Sequence, residues 1–542
     1  MLSQSLGPCF GQFYLSLKAF NPSSLAIFIL VLWLIWRVWT FTIIPKLRPQ
    51  DPVVLPYALP LIGHTISWLW NRTQLVENGG KRLPGDFPFA LYIGGKRLIV
   101  IRTPDGIKAM WNDPKSFTFD FYMIGIIEAF GISPSRYSLA FEDNPAKLWK
   151  GGDSDAPHFV KENPAKRRLV SLQEKWMKDA LQPGAKMEAV SKIFMEHIKH
   201  LVPVYVSDPR VAVAGSRNDG DLVNLVRWGR YVLADAGTKA FLGPEIFDID
   251  PDFVQNYLDW EDLSWKIPYG HPKFLSKDLF QAEEVLVQPL MKYFALDPTQ
   301  RPNLNWLFDF MQSDQRKIGL TAHDTAASAI IMLWAVHLNP GRLFFWTLTH
   351  ILCSPSLTQK IRDETNLAFD LATNTFSISH LMNSCPLATA TWHEALRLYA
   401  SSSVVRTCES TTVIGDKTIK AGDRLMSPLY FVHRSPHIWG DDAQDFNEQR
   451  WLKEGFKTPK GYYPFGGGHM HCPGRFLAKQ EVFLFIATVL REWDIEPVGE
   501  KIQGGVGGEV RWKVPKEPKK HAGAGVSDAN EDFLVRITKR YN

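Results

Sequence analysis

The stretch from Pro464 to Glu481, PFGGGHMHCPGRFLAKQE, places a cysteine among closely spaced glycines just before a helical pattern. Phe465, Gly468, Cys472 and Gly474 define its spacing. A thiolate at a helix N-terminus, among backbone N–H donors, has a lowered pKa and can ligate a metal. Glycines let such a loop pass close over a flat ligand where a Cβ would collide. The pattern therefore predicts that Cys472 is a metal ligand.

Two other interpretations fit the same residues. Cys472 would be an ordinary buried cysteine in a glycine-rich turn, or it would join His469 and His471 in a copper or zinc cluster. The cluster lacks a second group of His or Cys at ligand spacing elsewhere in the sequence, which such sites usually require.

The loop resembles the haem-binding loop of the cytochrome P-450 superfamily. In that family the cysteine sulfur is the axial ligand of haem iron and favours O–O bond cleavage. The resemblance implies that Cys472 ligates the iron of heme b, iron protoporphyrin IX. It also implies that Phe465, Gly468 and Gly474 shape the cofactor-binding loop, and that backbone N–H groups after the cysteine tune its sulfur.

The loop departs from the family at Met470, where an Arg or His usually binds a haem propionate. Because a buried propionate needs a donor, another residue must supply it. The segment 401–406 resembles the strand that passes over the haem edge, and Arg406 matches the family's propionate-binding arginine. We expect Arg406 to carry more of this role, with help from His469 or His471.

A second motif lies in Pro386 to Ala400, which starts with proline at the first helical position. Glu394 and Arg397, three residues apart, share a helix face and can pair. Alone, such a pair is usually solvated. With Arg450 in the segment FNEQRW (446–451), the two resemble the buried triad that locks the family's core around the haem loop, although Glu448 replaces the usual proline.

The long apolar stretch from His323 to Ser354 predicts a helix that kinks at Pro340, because proline removes a hydrogen bond and clashes with the carbonyl of Val336. In the family, the equivalent helix distorts to make a groove for dioxygen over the haem. Ala335 and Asn339 stand at the family's catalytic positions, but the usual acid and threonine are missing. The string LWAVHLNPGRLFFW is similar to the branch that holds sterol 7α-hydroxylases and prostacyclin synthase, in which asparagine replaces the threonine.

Residues 25–44, LAIFILVLWLIWRVWTFTII, form an apolar run long enough to span a bilayer. Tryptophans at 33, 36 and 39 suit the membrane interface, and the basic residues Lys46 and Arg48 after the run place the C-terminal part in the cytosol. The alternative is a buried soluble helix. Prolines then recur through residues 45–64, which predicts a stiff spacer.

Composition is that of a globular protein, with 45% hydrophobic and 22% charged residues. Five scattered cysteines in 542 residues argue against a disulfide scaffold and favour a reducing compartment. A net charge of +5 gives no indication of nucleic-acid binding; it suits an acidic partner or an anionic membrane surface.

Further stretches predict individual elements. Phe87 to Thr103 reads as a β-hairpin around two glycines. Phe117 to Ile132 is either core or, by resemblance, a loop that covers the substrate. Phe533 to Arg540 resembles the family's closing strand. A basic patch is either a solvated face or, by resemblance, a reductase-docking surface; its residues are Lys161, Lys166, Arg167, Arg168, Lys175 and Lys178.

The resemblance implies a mainly α fold with a smaller β region, the cytochrome P-450 fold, preceded by a transmembrane helix. The expected divisions are a short luminal N-terminus (1–24), the membrane helix (25–44), the proline-rich hinge (45–64) and the catalytic domain (65–542). We expect a single-pass protein of the endoplasmic reticulum membrane with its catalytic domain in the cytosol.

The expected activity is monooxygenation of a large lipophilic molecule of steroid or terpenoid type, in secondary metabolism. Electrons would come from NADPH–cytochrome P-450 reductase, since the sequence has no dinucleotide or flavin motif. Membrane lipid is the other expected partner, and nucleic acid is not. Two alternatives stay open: a haem-thiolate isomerase or dehydratase that needs no reductase, and a haem-binding sensor or carrier without turnover.

Overall fold

A computed structural model describes residues 22–83, 87–133, 169–213, 220–268, 270–468, 471–503, 510–518 and 525–540. Helices dominate it, and the strands form one larger sheet and several small ones, so the predicted mainly α fold with a smaller β region is confirmed. The longer helices are α1 Pro22–Val38, α2 Thr65–Arg82, α3 Pro104–Asn112, α4 Asp120–Ala129, α5 Leu169–Leu181, α6 Ala185–Val206, α7 Leu225–Phe241, α8 Phe253–Leu263, α9 Lys277–Ala295, α10 Trp306–Lys317, α11 Ala322–Leu352, α12 Pro355–Asn366, α13 Ile378–Asn383, α14 Pro386–Tyr399 and α15 Arg475–Glu492.

The main sheet has six strands in the order β1-β2-β3-β11-β8-β4, and a second sheet has three in the order β12-β15-β5. The strands are β1 Val53–Val54, β2 Phe89–Ile93, β3 Lys96–Val100, β4 Phe117–Thr118, β5 Asp221–Asn224, β6 Phe369–Asp370, β7 Thr375–Phe376, β8 Ser403–Cys408, β9 Thr412–Ile414, β10 Lys417–Ile419, β11 Arg424–Pro428, β12 Trp493–Pro497, β13 Lys501–Gln503, β14 Val510–Trp512 and β15 Leu534–Lys539. Strand β15 is the strand predicted over 533–540, and it lies in the middle of its sheet.

The predicted hairpin is formed by β2 and β3, which pair antiparallel with Ile93 opposite Lys96. Its turn is Gly94-Gly95, and both residues have positive φ (55° and 73°). A two-residue hairpin turn with positive φ at both positions favours glycine. The hairpin joins β11 and β8 in one sheet, and β8 carries Arg406.

Helix α11 is the centre of the molecule. A capping box starts it, in which Thr321 accepts from the Asp324 N–H and the Asp324 side chain accepts from the Thr321 N–H. Most of its 31 residues are buried. The helix continues through Pro340 rather than breaking there, so the proline removes one backbone donor without ending the helix.

Close packing fixes α11 against its neighbours. A Cβ on Gly237 of α7 would lie 2.5 Å from the His337 ring, and one on Gly229 would lie 2.6 Å from Phe344. On the other side, Phe344 stacks on Phe485 of α15 with ring centroids 3.9 Å apart. Helix α11 is thus held between α7 and α15, the helix that follows the cysteine loop.

The apolar helix continues past α1 as a π-helical turn Trp39–Ile43 and a short helix Ile44–Leu47, in which proline takes the first turn. Together they form a span of 26 residues that is long and apolar enough to cross a membrane, and none of its most apolar window is buried.

The proline-rich stretch that follows is not a free spacer. Strand β1 pairs with β2, and the Thr418 N–H donates to the Gln50 carbonyl (2.7 Å). The Tyr57 ring lies 6.1 Å from that of Tyr92 on β2, and it also packs on Trp36 of α1 at 5.5 Å. The expected hinge is therefore largely docked on the catalytic domain, because aromatic and sheet contacts beyond the reach of local proline patterns hold it there.

The three members of the predicted triad lie together in the core. Glu394 and Arg397 are fully buried on α14, and two guanidinium nitrogens of Arg397 donate to the Glu394 carboxylate at 2.8 and 2.9 Å. Arg450 Nε donates to the same carboxylate at 3.0 Å. Arg397 also donates to the carbonyls of His433, Ala443 and Asp445, so all its charge is engaged.

We predict that Glu394→Gln destabilises the protein by about 3–5 kcal/mol, because it leaves the buried Arg397 guanidinium without its counter-charge. Arg450 retains Asp442 at 3.0 Å. Thermal unfolding of the full chain measures the destabilisation. Glu77→Gln is the matched control, since Glu77 pairs with Lys81 on the surface of α2 (2.6 Å) and should cost less than about 1 kcal/mol. Equal shifts in the two variants would contradict a special role for the buried network.

Candidate functional site

The loop before α15 is closed on itself. The Cys472 N–H donates to the Phe465 carbonyl at 3.0 Å, which brings the two ends of the predicted spacing together. Gly466 and Gly468 have positive φ (71° and 63°), a conformation that side-chain-bearing residues rarely adopt. The glycines at these two positions are therefore required by the backbone of the loop.

Trp111, at the end of α3, packs directly on this loop. A Cβ on Gly467 would lie 2.6 Å from the Trp111 ring, and one on Gly468 would lie 3.0 Å from the Trp111 Cβ. Absence of a side chain thus permits the close approach of indole and backbone. Nothing in the local sequence around Trp111 indicates this contact, because its partner lies more than three hundred residues away.

Cys472 differs from the other described cysteines. Its side chain is exposed, whereas Cys353, Cys385 and Cys408 are buried. Burial raises the pKa of Cys353 to about 12 and those of Cys385 and Cys408 to about 11. These three thiols are protonated core residues. The accessible thiol is the one that sequence spacing singled out.

Surrounding protein also raises the pKa of the Cys472 thiol by desolvation, although the sulfur is open on one side. Opposing this, the N–H groups of Gly474 and Arg475 and the Arg475 charge favour the thiolate. Desolvation is the larger effect, so the pKa of the Cys472 thiol is raised overall in the metal-free chain. A bound metal cation reverses this balance, because a coordinating thiol is deprotonated outright.

His471 is exposed next to Cys472, and its pKa is lowered by partial burial and by Arg475. His469 and Met470 lie outside the described residues, as do the cluster with His469 and the expected help from that histidine. Within the described part of the chain, no three His, Cys, Asp or Glu residues are placed to hold a metal ion.

Arg406 is a buried guanidinium on β8, with 7% of its surface exposed. In the described structure its one hydrogen bond goes to the carbonyl of Val405 (2.7 Å), and the guanidinium lies over the Phe119 ring at 5.6 Å. Burial lowers its pKa, and no carboxylate among the described residues offsets this. A buried charge without a counter-ion is costly, so the site favours an anionic ligand.

Ala335 and Asn339 lie on the least buried face of α11. Ala335 is exposed in a helix whose residues are otherwise mostly buried, and Asn339 follows one turn later. The Asn339 Oδ1 accepts from the Val526 N–H at 2.9 Å. The amide oxygen therefore holds the C-terminal segment, which the sequence pattern did not reveal, and the Nδ2 group remains as a donor for another partner.

The basic patch is described only in part. Lys175 and Lys178 lie on α5 and pair with Asp179 and Glu174 at 2.7 and 2.5 Å. These are exposed pairs four residues apart. The other four members, between 161 and 168, lie outside the described residues.

Comparison with known protein families gives a match to the cytochrome P450 model over residues 255–504, which includes α11, the triad and the cysteine loop. The chain belongs to the cytochrome P450 superfamily. It is 23% identical to the cytochrome P450 monooxygenase nodJ of Hypoxylon pulicicidum over 525 residues, 91% of each chain. It is 21% identical to the cytochrome P450 monooxygenase poxD of Penicillium oxalicum, over 86% of this chain and 90% of that one. The protein is therefore a haem-dependent monooxygenase.

The residues present fit a haem. Cys472 offers an accessible sulfur flanked by N–H donors, the positive-φ glycines give the loop a surface without side chains, and Arg406 offers a buried cation without a carboxylate partner in the described structure. Haem requires these three features: an axial ligand, room for a flat ring and a partner for its propionates.

We predict that Cys472→Ser abolishes the red-shifted absorption band of the ferrous carbon monoxide complex, because a serine hydroxyl does not supply thiolate ligation. Cys385→Ser is the control. Its sulfur is buried and contacts the carbonyls of His380 and Glu364 at 3.8–3.9 Å, so the substitution leaves the cysteine loop unchanged. A Cys472→Ser protein that keeps the band would place the ligand elsewhere.

Arg406→Leu should weaken haem retention by about 2–5 kcal/mol, since removing one partner of a buried charge pair leaves the propionate unpaired. Transfer of haem to apomyoglobin measures the loss. Arg424→Leu is the control: Arg424 is opposite Thr407 on the neighbouring strand, so it projects from the other face of the sheet. Comparable loss in both variants would mean that the charge of the sheet, not Arg406, retains the haem.

Proposed function

We propose that this protein is a membrane-anchored P450 monooxygenase that inserts oxygen into a C–H bond of a large lipophilic substrate, using electrons from NADPH through a separate reductase. Two features of the described structure together carry the proposal. The Cys472 thiol is accessible, and the Arg406 guanidinium is buried without a carboxylate partner. A thiol alone fits many sites; the added buried cation fits an anionic cofactor.

When bound, heme b supplies the activation of dioxygen. The chain's own residues hold and orient it. Cys472 binds the iron, and the N–H groups of Gly474 and Arg475 stabilise the negative charge on its sulfur. Arg406 neutralises a propionate. Non-covalent heme b is favoured because the sequence has no Cys-x-x-Cys-His attachment motif.

Asn339 and Ala335 are the proposed contacts of α11 with the reacting groups. The small side chain of Ala335 leaves room for a ligand on the accessible face of the helix. Since the Oδ1 of Asn339 is engaged by Val526, its Nδ2 acts as a donor that orients a water and so helps to deliver protons. Asparagine replaces here the hydroxyl group that most family members use.

The substrate is proposed to be of steroid or terpenoid type, in secondary metabolism. Support comes from the similarity of the α11 segment 333–346 to sterol-oxidising members, and from relatives in fungi. The reductase is supported by a relative in Gibberella moniliformis named as a bifunctional P450/NADPH–P450 reductase, 26% identical over 251 residues. Lys175 and Lys178 of α5 add no support for such a partner, because each already pairs with an acidic residue of the same helix.

An isomerase or dehydratase is the second candidate, and the observation that favours it is the missing acid–threonine pair of α11. Such an enzyme rearranges an already oxygenated substrate and needs no external electrons.

Turnover of a substrate found by its spectral shift separates the two and tests Asn339. We expect product only with reductase and NADPH. In Asn339→Leu, product per NADPH should fall by up to about a hundred-fold, the lower end of the effect of one positioned proton-transfer group, and peroxide release should rise. Asn339→Asp, which keeps an acceptor for the Val526 N–H but loses the Nδ2 donor, should show the same uncoupling.

Reductase-independent turnover in the wild type would favour the isomerase. Full coupling in Asn339→Asp, with retained reductase dependence, would remove the donor role and leave the monooxygenase assignment intact.

We propose that residues 25–44 anchor the protein in the endoplasmic reticulum membrane, with 45–542 in the cytosol. Trp33 Nε1 donates to the Ala58 carbonyl (2.6 Å), which ties the helix to the following stretch. Exposed apolar side chains next to it add to the membrane-facing surface: Leu61, Ile62, Ile66 and Trp70.

Deleting residues 1–44 should move much of the protein from the membrane to the soluble fraction while the haem is retained, as sedimentation and the carbon monoxide spectrum would show. Residual membrane association is expected from the exposed side chains, and replacing Ile66 and Trp70 with serine should reduce it. A soluble, monodisperse truncation that has lost all haem would assign the segment to the catalytic core.

A further inference from the structure

Asn339 belongs to a row of α11 side chains that binds the backbone of the C-terminal segment. Asn339, Arg342 and Trp346 are spaced so that they share one face of the helix. Asn339 Oδ1 accepts from the Val526 N–H at 2.9 Å. Arg342 Nη1 donates to the carbonyl of the same residue at 3.1 Å, and Trp346 Nε1 donates to the Ser527 carbonyl at 2.8 Å. One helix face therefore holds three backbone groups of this segment.

The peptide group between Gly525 and Val526, which we call the 525–526 peptide, is bonded on both sides. Its carbonyl accepts from the Ser401 N–H at 2.8 Å and from the Ser401 hydroxyl at 3.0 Å. Its N–H donates to Asn339. Because hydrogen bonds in such a chain polarise one another, the two donors of Ser401 strengthen the bond to the Asn339 oxygen. Ser401, two residues before β8, is thus linked to α11 through one planar group.

These contacts determine which way the Asn339 amide faces. A backbone N–H only donates, so the atom of Asn339 that meets Val526 is the oxygen, and Nδ2 points elsewhere. The last torsion of an unrestrained asparagine side chain is broad and roughly two-fold, so the amide can turn over. The bond to the 525–526 peptide therefore selects one of two orientations.

Gly525 shows how close this fit is. Its φ of 116° lies in the left-handed region, and a Cβ there would overlap Asn339 Oδ1. A side chain at 525 would therefore displace either the segment or the amide. Gly319, before α11, has a similar φ of 103°, but a Cβ there would meet no atom of the described structure within 4 Å. The two glycines separate backbone strain from the clash with Asn339.

We propose that the 525–526 peptide positions Asn339 for the oxygenase reaction and that Ser401 holds the peptide in place. The inference rests on the proposed role of Asn339 as a donor to water, and it extends that role to the residues that orient the donor. While the peptide binds Oδ1, Nδ2 stays available to the water. When this bond is lost, the amide turns over in part of the molecules, and the water loses its donor.

A purely structural role is the alternative, because the same bonds close the C-terminal segment on the core. The two roles differ in what a broken bond changes. A structural bond contributes only to the free energy of unfolding. A positioning bond also affects how much NADPH oxidation yields product, and it affects the polar surroundings of a ligand on the haem iron.

The test compares Gly525→Ala with Gly319→Ala in the full-length, haem-loaded protein, with reductase and a substrate found by its spectral shift. Gly525→Ala should lower product per NADPH by up to about a hundred-fold, because a misplacement of about 1 Å can cost that much, and peroxide release should rise. Gly319→Ala carries similar backbone strain and should keep the wild-type coupling. In an Asn339→Ala background, Gly525→Ala should have no further effect on coupling, because the amide and the clash are both absent.

A spectroscopic measurement needs no turnover. The C–O stretching band of the ferrous carbon monoxide complex moves to lower frequency when a hydrogen-bond donor lies near the bound ligand. Asn339→Ala should therefore move the band to higher frequency, and Gly525→Ala should move or split it in the same direction. Gly319→Ala should leave the band in place.

Ser401→Ala is a milder variant that keeps the test valid if Gly525→Ala does not fold. It removes one of the two donors to the 525–526 peptide and should lower product per NADPH by about five-fold, the effect of one hydrogen bond between neutral groups. Ser403→Ala is its control on β8, since the Ser403 hydroxyl has no hydrogen-bond partner in the described structure.

Three results would overturn the positioning role and leave the monooxygenase assignment intact. They are wild-type coupling in a folded Gly525→Ala or in Ser401→Ala, a carbon monoxide band that moves in Asn339→Ala but not in Gly525→Ala, and a further loss of coupling when Gly525→Ala is added to Asn339→Ala. A wild-type protein that forms product without reductase would instead contradict the proposed function and, with it, this inference.

Discussion

The carboxylate of Glu394 is the contact on which the rest of the site depends. It accepts from Arg397 and Arg450, from the Asn447 N–H and from the Trp451 indole. Through these bonds one residue of α14 holds the irregular chain that leads to the cysteine loop. Such a buried network is stabilising only when every member is paired. Its closed set of partners gives the loop a fixed support without help from the cofactor.

Two buried arginines differ in how their charge is compensated: Arg397 stabilises the fold, whereas Arg406 is available to bind a ligand. Arg397 has a carboxylate and three carbonyls around its guanidinium, so its charge is fully compensated by the chain. Arg406, which is also buried, has a single carbonyl and an aromatic ring around it in the described structure. The free-energy cost of burying the Arg406 charge is therefore offset only when an anion from outside the chain binds it. This contrast supports the prediction that Arg406 binds a propionate, since the family's usual loop residue is replaced by Met470.

Local patterns were sufficient for the elements and motifs that depend on neighbouring residues. The Gly94-Gly95 hairpin, the start of α14 at Pro386 and the final strand follow from turn chemistry, helix capping and apolar alternation. The meeting of Arg450 with Glu394 was expected from motif resemblance, and the contacts are present. That these residues serve the haem remains a prediction.

Long-range contacts account for what the sequence did not reveal. Trp111 contacts the glycine loop more than three hundred residues away, and Asn339 bonds Val526, which is 187 residues away, with no shared periodicity. The second contact changes the chemistry expected of Asn339, since its oxygen is already engaged. Similarly, the proline-rich stretch has the composition of a spacer, but Tyr57 packs on Tyr92 and β1 pairs with β2, and these contacts dock it on the domain. Tertiary contacts determine whether a proline-rich stretch is free or docked, because its composition indicates only how stiff the backbone is.

The central claim is that the Cys472 sulfur ligates haem iron. Resonance Raman spectroscopy of the ferric full-length protein, grown with cysteine of natural or heavy sulfur, tests it most directly. The account predicts an iron–sulfur stretching band that moves to lower frequency with the heavy isotope, since a ligating sulfur takes part in that vibration. Absence of an isotope-sensitive band in a haem-loaded sample would contradict thiolate ligation and, with it, the assignment of the loop.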